Sequence, residues 1–299
     1  MTGSMRSRFA EVMPELLGTR DDIVLLIADL SAKILDKAAR QFPDRVINVG
    51  IREQLMIDLA GGLALGGFRP VIHSFAPFLV ERPFEQIKIS LNHQSVGAVL
   101  VSAGASFDIS GGGRTHQSPG DVALLNTLPD WTIWVPGHPD EAETALHRAV
   151  SSTGLHYIRL SNQSNSIAHA NSDTVHCLRF GDDVTVIAVG PILDSVTTAI
   201  ETIDATLLYT MRPRPFSSER LQQCIAHTNG RVVLIEPMLQ GSSTAELRRK
   251  IGNHPVSILE IGVPRTELRA YGTPEQHAAA YGLDPTSIRE RIVEFLKKE

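Results

Sequence analysis

Apolar runs of strand length alternate along the chain with longer stretches whose apolar residues recur every three or four positions. Positions 23–28, 96–101, 184–189 and 232–235 are largely Val, Ile, Leu and Ala, and 71–75 is an apolar run carrying His73 and Ser74. Strands buried on both faces read this way, and parallel sheets are built from them. Segments 53–65, 84–91, 140–150 and 193–203 carry the helical period instead. The alternation predicts α/β architecture, with mostly parallel sheets flanked by helices. It is interrupted at 161–174, SNQSNSIAHANSDT, which is polar and reads as a linker or a long surface connection. The pattern restarts after Gly181, so two domains are expected, 1–175 and 176–299. A last helix is well marked: Asp284 as N-cap, Pro285 at the first helical position, then Ile288, Ile292, Phe295 and Leu296 on one stripe.

Composition narrows the function classes. The 299 residues are 42% hydrophobic and 20% charged, as in ordinary globular proteins. A net charge of −5 and a pI near 6.1 offer no basic field to nucleic acid. No secretory signal and no bilayer-length apolar run is visible, so a cytoplasmic location is expected. Cys177 and Cys224 are too few for a disulfide scaffold and read as reduced core thiols.

Three segments carry candidate chemistry. In Asn48-Val-Gly-Ile-Arg-Glu-Gln54, a turn at Gly50 leads into a helix with Glu53 in its first turn. Glu53 reads either as a carboxylate favoured by the helix dipole or as a buried acid that hydrogen-bonds a ligand nitrogen. Burial in the second case favours the protonated or proton-sharing form. In Gly111-Gly-Gly-Arg-Thr-His-Gln117, the glycines let backbone approach a ligand closely. His116 follows as a general acid/base candidate or as a structural histidine. The spacing is neither a dinucleotide fingerprint nor a P-loop, and no metal-ligand spacing occurs in the chain. In Ser74-Phe-Ala-Pro-Phe-Leu-Val-Glu-Arg82, Phe75 and Phe78 flank a strand end. They read as core, or as a surface on which a flat heterocycle stacks.

The order of these elements is more specific than any one of them. Ala28-Asp29-Leu30, Asn48 to Gln54, Ala60-Gly-Gly-Leu-Ala64, Phe75-x-x-Phe78 and Gly113-x-Thr-His-Gln117 follow one another, then Asp121, Pro129 and Val135-Pro136. This series resembles the pyrimidine-binding domain of transketolases and 1-deoxyxylulose-5-phosphate synthases. Val186-Ile-Ala-Val-Gly-Pro191, Val233-Leu-Ile-Glu-Pro237, Ile261-Gly-Val-Pro264 and Tyr281-Gly-Leu-Asp-Pro285 resemble their C-terminal domain.

The resemblance implies thiamine diphosphate as cofactor and transfer of a two-carbon ketol unit between carbonyl substrates. Glu53 matches the glutamate that hydrogen-bonds the aminopyrimidine N1′ and so promotes deprotonation of the thiazolium carbon. Phe78 matches the aromatic that stacks on the aminopyrimidine. Asp29 matches an aspartate near the cofactor, and Phe75 and Arg82 fall in the same cofactor-binding stretch. His116 matches the histidine that contacts substrate. Arg6 stands at a phosphate-binding arginine, Lys33 at a serine, and Arg114 is an added cation. The Gly-Asp-Gly…Asn motif that holds the diphosphate and Mg²⁺ in the family is absent from the sequence. The resemblance therefore implies a separate diphosphate-binding subunit that carries the metal ligands, in an α2β2 assembly. Two departures redirect specificity: Gly112 replaces an aspartate that positions donor or intermediate, and Gly104 replaces a sugar-phosphate histidine. A site that loses a hydrogen bond to a substrate hydroxyl loses the discrimination it gave. The glycine loop is also similar to that of 2-oxo-acid dehydrogenase β subunits, which pass a two-carbon unit to a lipoyl or acyl-carrier group. A catalytically silent scaffold subunit is the alternative of another class.

Overall fold

A computed structural model describes residues 3–169, 175–217, 219–267 and 269–298. Among these, the strands are β1 (Ile23–Ile27), β2 (Val46–Asn48), β3 (Arg69–Phe75), β4 (Val99–Ala103), β5 (Trp131–Trp134), β6 (Leu155–Arg159), β7 (His176–Arg179), β8 (Val184–Val189), β9 (Ala205–Thr210), β10 (Arg231–Leu239) and β11 (Ser257–Val263). They form two sheets, ordered β2-β1-β3-β4-β6-β5 and β11-β10-β8-β9-β7. The first is parallel throughout. The second is parallel except where β7 pairs with β9. The α/β architecture with helices covering mostly parallel sheets is therefore the one the apolar pattern predicts.

Burial on both faces explains the near-continuous apolar strands. In β1, Ile23, Leu25 and Ile27 enter one hydrophobic cluster while Val24 and Leu26 enter the other. Successive side chains point to opposite faces, so both must be apolar when helices cover both. The helix Glu53–Leu65 starts and ends as the sequence predicts. The helix Pro285–Lys297 does begin at Pro285, with the Asp284 side chain accepting from the backbone N–H of Thr286 and Ser287.

Two expectations are corrected. The run 84–91 is not one α-helix: Pro77–Glu81 and Ile87–His93 are π-helical, with a single α turn, Phe84–Gln86, between them. Pro83 lacks the N–H that a continuous ladder needs, so the coil restarts there. The segment 161–174 is not a free linker in its described part. Asp108 accepts from Ser161 Oγ and Asn162 N, Asn165 N donates to Gly137 O, and Asn165 Nδ2 donates to Gly190 O. Short Ser and Asn side chains serve here as seam polar groups between the two sheets. Residues 170–174 lie outside the described residues. Among the described residues no helix is long and apolar enough to cross a membrane.

Candidate active site

The carboxyl ends of β1, β3 and β4 open on one side of the first sheet, where open parallel sheets place their ligands. Glu53 begins the helix that follows β2 and is buried, 2% exposed. Arg82 Nη1 donates to Glu53 Oε2 at 2.7 Å. The Arg82 guanidinium carbon lies 4.2 Å from the centroid of the Phe78 ring. Phe78 meets His116 edge-on at 5.2 Å, and Phe75 lies 6.2 Å from each of them. Arg6, from the first helix (Met5–Thr19), lies over Phe75 at 5.5 Å. Glu53, Arg82, Phe78, His116, Phe75 and Arg6 thus form one continuous chain of contacts.

The other candidate residues sit differently. Asp29 takes a left-handed turn just after β1 (φ 58°) and is exposed. Asn48 Nδ2 donates to its carboxylate at 3.0 Å, and the same Asn48 accepts from the Asp29 and Gly50 N–H groups. Lys33 is exposed on the following turn, and the structure joins it to none of the six. Arg114 turns away to Gln117 O at 2.9 Å and Glu267 at 3.2 Å. It ties the glycine loop to the second sheet's side of the molecule.

The glycines have a geometric reason. A Cβ on Gly112 would lie 2.8 Å from the His116 ring, so any side chain there would displace the histidine. Gly113 has φ +67°, and a Cβ there would lie 2.6 Å from the Tyr271 ring. Thr115 Oγ1 lies 3.0 Å from His116 Nδ1 and steadies the ring. At Gly104 (φ +71°) the space a Cβ would fill is taken by Ile109.

Several supporting residues, Asp121 aside, were not singled out by the sequence. Arg6 donates through Nε and Nη2 to Ser31 Oγ at 2.9 and 2.8 Å. Ser31 Oγ in turn lies 2.7 Å from Nε2 of fully buried His73, whose Nδ1 faces Val101 O at 2.7 Å. A carbonyl only accepts, so the proton sits on Nδ1 and Nε2 receives the Ser31 hydroxyl. Burial, helped by the Arg6 charge, pushes His73 down to about 4 and keeps it neutral. Glu81, next to Arg82, accepts from Ser118 Oγ at 2.7 Å and fixes the far side of the His116 loop. Burial pushes Glu81 upward against that hydrogen bond. Asp121 is fully buried and receives Tyr157 Oη at 2.6 Å and Arg159 Nε at 2.8 Å. Arg159 reaches on to Ser106 Oγ at 2.7 Å. The signal for such residues is a polar letter inside an apolar strand: His73 in β3, Tyr157 and Arg159 in β6.

Two buried polar atoms on the chain neighbours of Phe75 and His116, Ser74 Oγ and Gln117 Oε1, have no hydrogen-bond partner among the described residues. A buried carboxylate acceptor at Glu53, joined through Arg82 to an aromatic face, suits a flat, nitrogen-bearing ring. No group of three or more His, Cys, Asp or Glu side chains gathers among the described residues.

The pyrimidine binding domain of transketolase matches residues 2–166. A protein of Rhodococcoides fascians, named only as an uncharacterized 33.6 kDa protein in the fasciation locus, is 44% identical over 98% of this chain and 95% of its own length. The 1-deoxy-D-xylulose-5-phosphate synthase of Mannheimia succiniciproducens is 27% identical over 87% of this chain, which spans 43% of that enzyme. Among solved structures, a split gene transketolase, described as an inactive beta4 tetramer, superposes with a TM-score of 0.85 at 26% identity, over 98% of both chains. A Pichia stipitis transketolase shares the fold, with a TM-score of 0.81 at 17% identity, over 99% of this chain and 46% of its own. The mouth of the parallel sheet, the Glu53–Phe78–His116 cluster upon it and the match over more than half the chain agree: this protein belongs to the transketolase pyrimidine-binding family.

Proposed function

We propose that this chain is the pyrimidine-binding half of a thiamine diphosphate-dependent enzyme that transfers a two-carbon ketol unit between carbonyl substrates. The observation that carries the reading is the buried Glu53 carboxylate, joined through Arg82 to the Phe78 ring, with the His116 edge against that ring. The cofactor, when bound, supplies a thiazolium carbon able to carry a carbanion. Glu53 would hold a proton against the aminopyrimidine N1′, in a site too buried for water to compete. Phe78 would stack on that ring, and Phe75 would wall it. Asp29, steadied by Asn48, would face the cofactor from the β1 turn. His116 would give or take a proton at the substrate oxygen, and Arg6, oriented by Ser31 and His73, would meet an anionic group. Lys33 would stand further out as a substrate-side cation, whereas Arg114 is held by Glu267 and Gln117 O.

The proposed division of labour places the diphosphate and Mg²⁺ on a separate diphosphate-binding chain, in an α2β2 assembly. The likeness to a split gene transketolase over nearly all of both chains supports this. So does the exposed surface on and near the helix that begins at Glu53, where Ile51, Leu55, Leu65 and Phe68 are 71%, 48%, 64% and 42% exposed, and Ile89 is 43% exposed. Such a surface marks a docking site.

Calorimetry tests the reading. Thiamine diphosphate with Mg²⁺ is titrated into this chain alone and then mixed with its diphosphate-binding partner. Tight binding by the mixture and far weaker binding by the chain alone is expected. A confirmed complex that fails to bind the cofactor would sink the assignment and leave a scaffold subunit. Substituting Glu53→Ala in the active pair separates catalysis from scaffolding, since unchanged turnover removes the role given to Glu53.

A further inference from the structure

The Arg82 guanidinium does two things at once: it donates to buried Glu53 and lies over the Phe78 ring. A planar, nitrogen-rich cation on that ring, bonded to that carboxylate, makes both contacts that the proposed function gives to an aminopyrimidine. Local backbone builds the arrangement. Residues Pro77–Glu81 are π-helical, and Arg82 N donates to Pro77 O at 3.0 Å. Arg82 closes the turn that carries Phe78, and its guanidinium lies over that ring. Exposure is asymmetric: the Arg82 side chain is 38% exposed and Glu53 2%. The arginine can leave toward solvent, whereas the glutamate cannot. One aromatic face cannot carry a guanidinium and a heterocycle together.

We propose that Arg82 is a displaceable occupant of the ring-binding position. It keeps the buried Glu53 paired, which an isolated buried carboxylate requires, and it yields both contacts to a flat nitrogen heterocycle. The identity of the natural heterocycle rests on the thiamine diphosphate reading, but the displacement belongs to this chain alone. Arg82 is then an internal competitor, and removing its guanidinium tightens heterocycle binding. The expected gain is about 3- to 30-fold, the range that a half-exposed cation–π contact and ion pair cover together.

The test uses the full-length chain and 4-amino-2-methylpyrimidine as probe, with wild type, Arg82→Ala and Arg82→Gln compared by calorimetry. Arg82→Gln keeps an N–H donor for Glu53 without the charge, so it reports binding even where Arg82→Ala unfolds. Expected are tighter binding by both variants and loss of the gain when Phe78→Ala is added. In ¹⁵N spectra of the wild type, the Arg82 Nε–H resonance, shifted by the Phe78 ring, moves to the position of an exposed arginine as probe is added. Equal or weaker binding by the variants, a stationary Arg82 resonance at saturation, or no probe binding by any of the proteins overturns the proposal. Thiamine diphosphate titrated into the reconstituted pair separates the two inferences. If the probe displaces Arg82 while the wild-type pair ignores thiamine diphosphate, the proposed function fails and the displacement stands.

Discussion

Arg159→Met breaks the most deeply buried ion pair beside the site. Arg159 is 1% exposed and Asp121 0%. The guanidinium donates to Asp121 Oδ2 at 2.8 Å and to Ser106 Oγ at 2.7 Å. Although burial disfavours its charge, Asp121 and Tyr157 hold Arg159 above its ordinary range. Methionine fills a similar volume but leaves the Asp121 carboxylate with only the Tyr157 hydroxyl and the Val122 N–H. Stranding one partner of a buried pair costs about 3–5 kcal/mol, or roughly 10²–10⁴ in the folding equilibrium. Replacing both partners is far milder. Asp121→Asn with Arg159→Met is expected to recover at least ~2 kcal/mol relative to the sum of the single changes. Urea unfolding followed by Trp131 and Trp134 fluorescence reads the effect, because both tryptophans lie in β5 of the same sheet. The loop that carries His116 should loosen as well, since Ser118 N bonds Ser106 O and Arg159 holds the Ser106 side chain. Arg159→Met within about 1 kcal/mol of wild type would refute the reasoning, as that is the scale of an exposed pair.

Four further outcomes are expected. Burial pushes Glu236 up to about 7 from its ordinary 4.5. The native chain then binds that proton more tightly than the unfolded one, so stability falls as pH rises from 4.5 through 7, by roughly 3 kcal/mol. Glu236→Gln should flatten that slope, and parallel profiles for the two proteins would contradict it. His73 runs the other way: held near 4 against an ordinary 6.5, it stays neutral when folded. Its contribution is complete above pH 6.5 and is lost as pH falls toward 4, again by about 3 kcal/mol; an acid limb unaltered in His73→Gln would count against this. Gly61→Ala should cost about 1–3 kcal/mol in thermal unfolding, because the new methyl would run into the Ser90 carbonyl oxygen where the Glu53 helix packs on Ile87–His93. His116→Ala should lower kcat of the reconstituted pair by roughly 10²–10⁴ if the histidine moves a proton; an unchanged rate returns it to a structural role.

The strands and helices that position the site were legible because each obeys a local rule. Continuous apolar runs gave the buried parallel strands, and Asp284-Pro285 gave the start of the last helix. The edge strand Val46–Asn48 and the polar-tipped Leu155–Arg159 were not legible, since short or mixed runs leave no period to read. Pro83 was visible in the sequence, but the π geometry around it is a packing outcome. The composition of 161–174 showed its polarity and could not show that Ser161 and Asn165 are buried.

For the site, the sequence by itself determined which chemical groups are available: Glu53 at a helix start, an aromatic pair after β3, and a histidine behind three glycines. It also determined the family, because the order of those motifs is specific. Only the tertiary structure decided that Arg82 answers Glu53, that Arg114 turns to Glu267, and that His73 and Ser31 stand behind Arg6. The reason is physical. A motif fixes groups that are neighbours along the chain, whereas pairing a buried polar or charged group depends on which side chains, 29 or 42 positions away, the sheet order brings within hydrogen-bond reach.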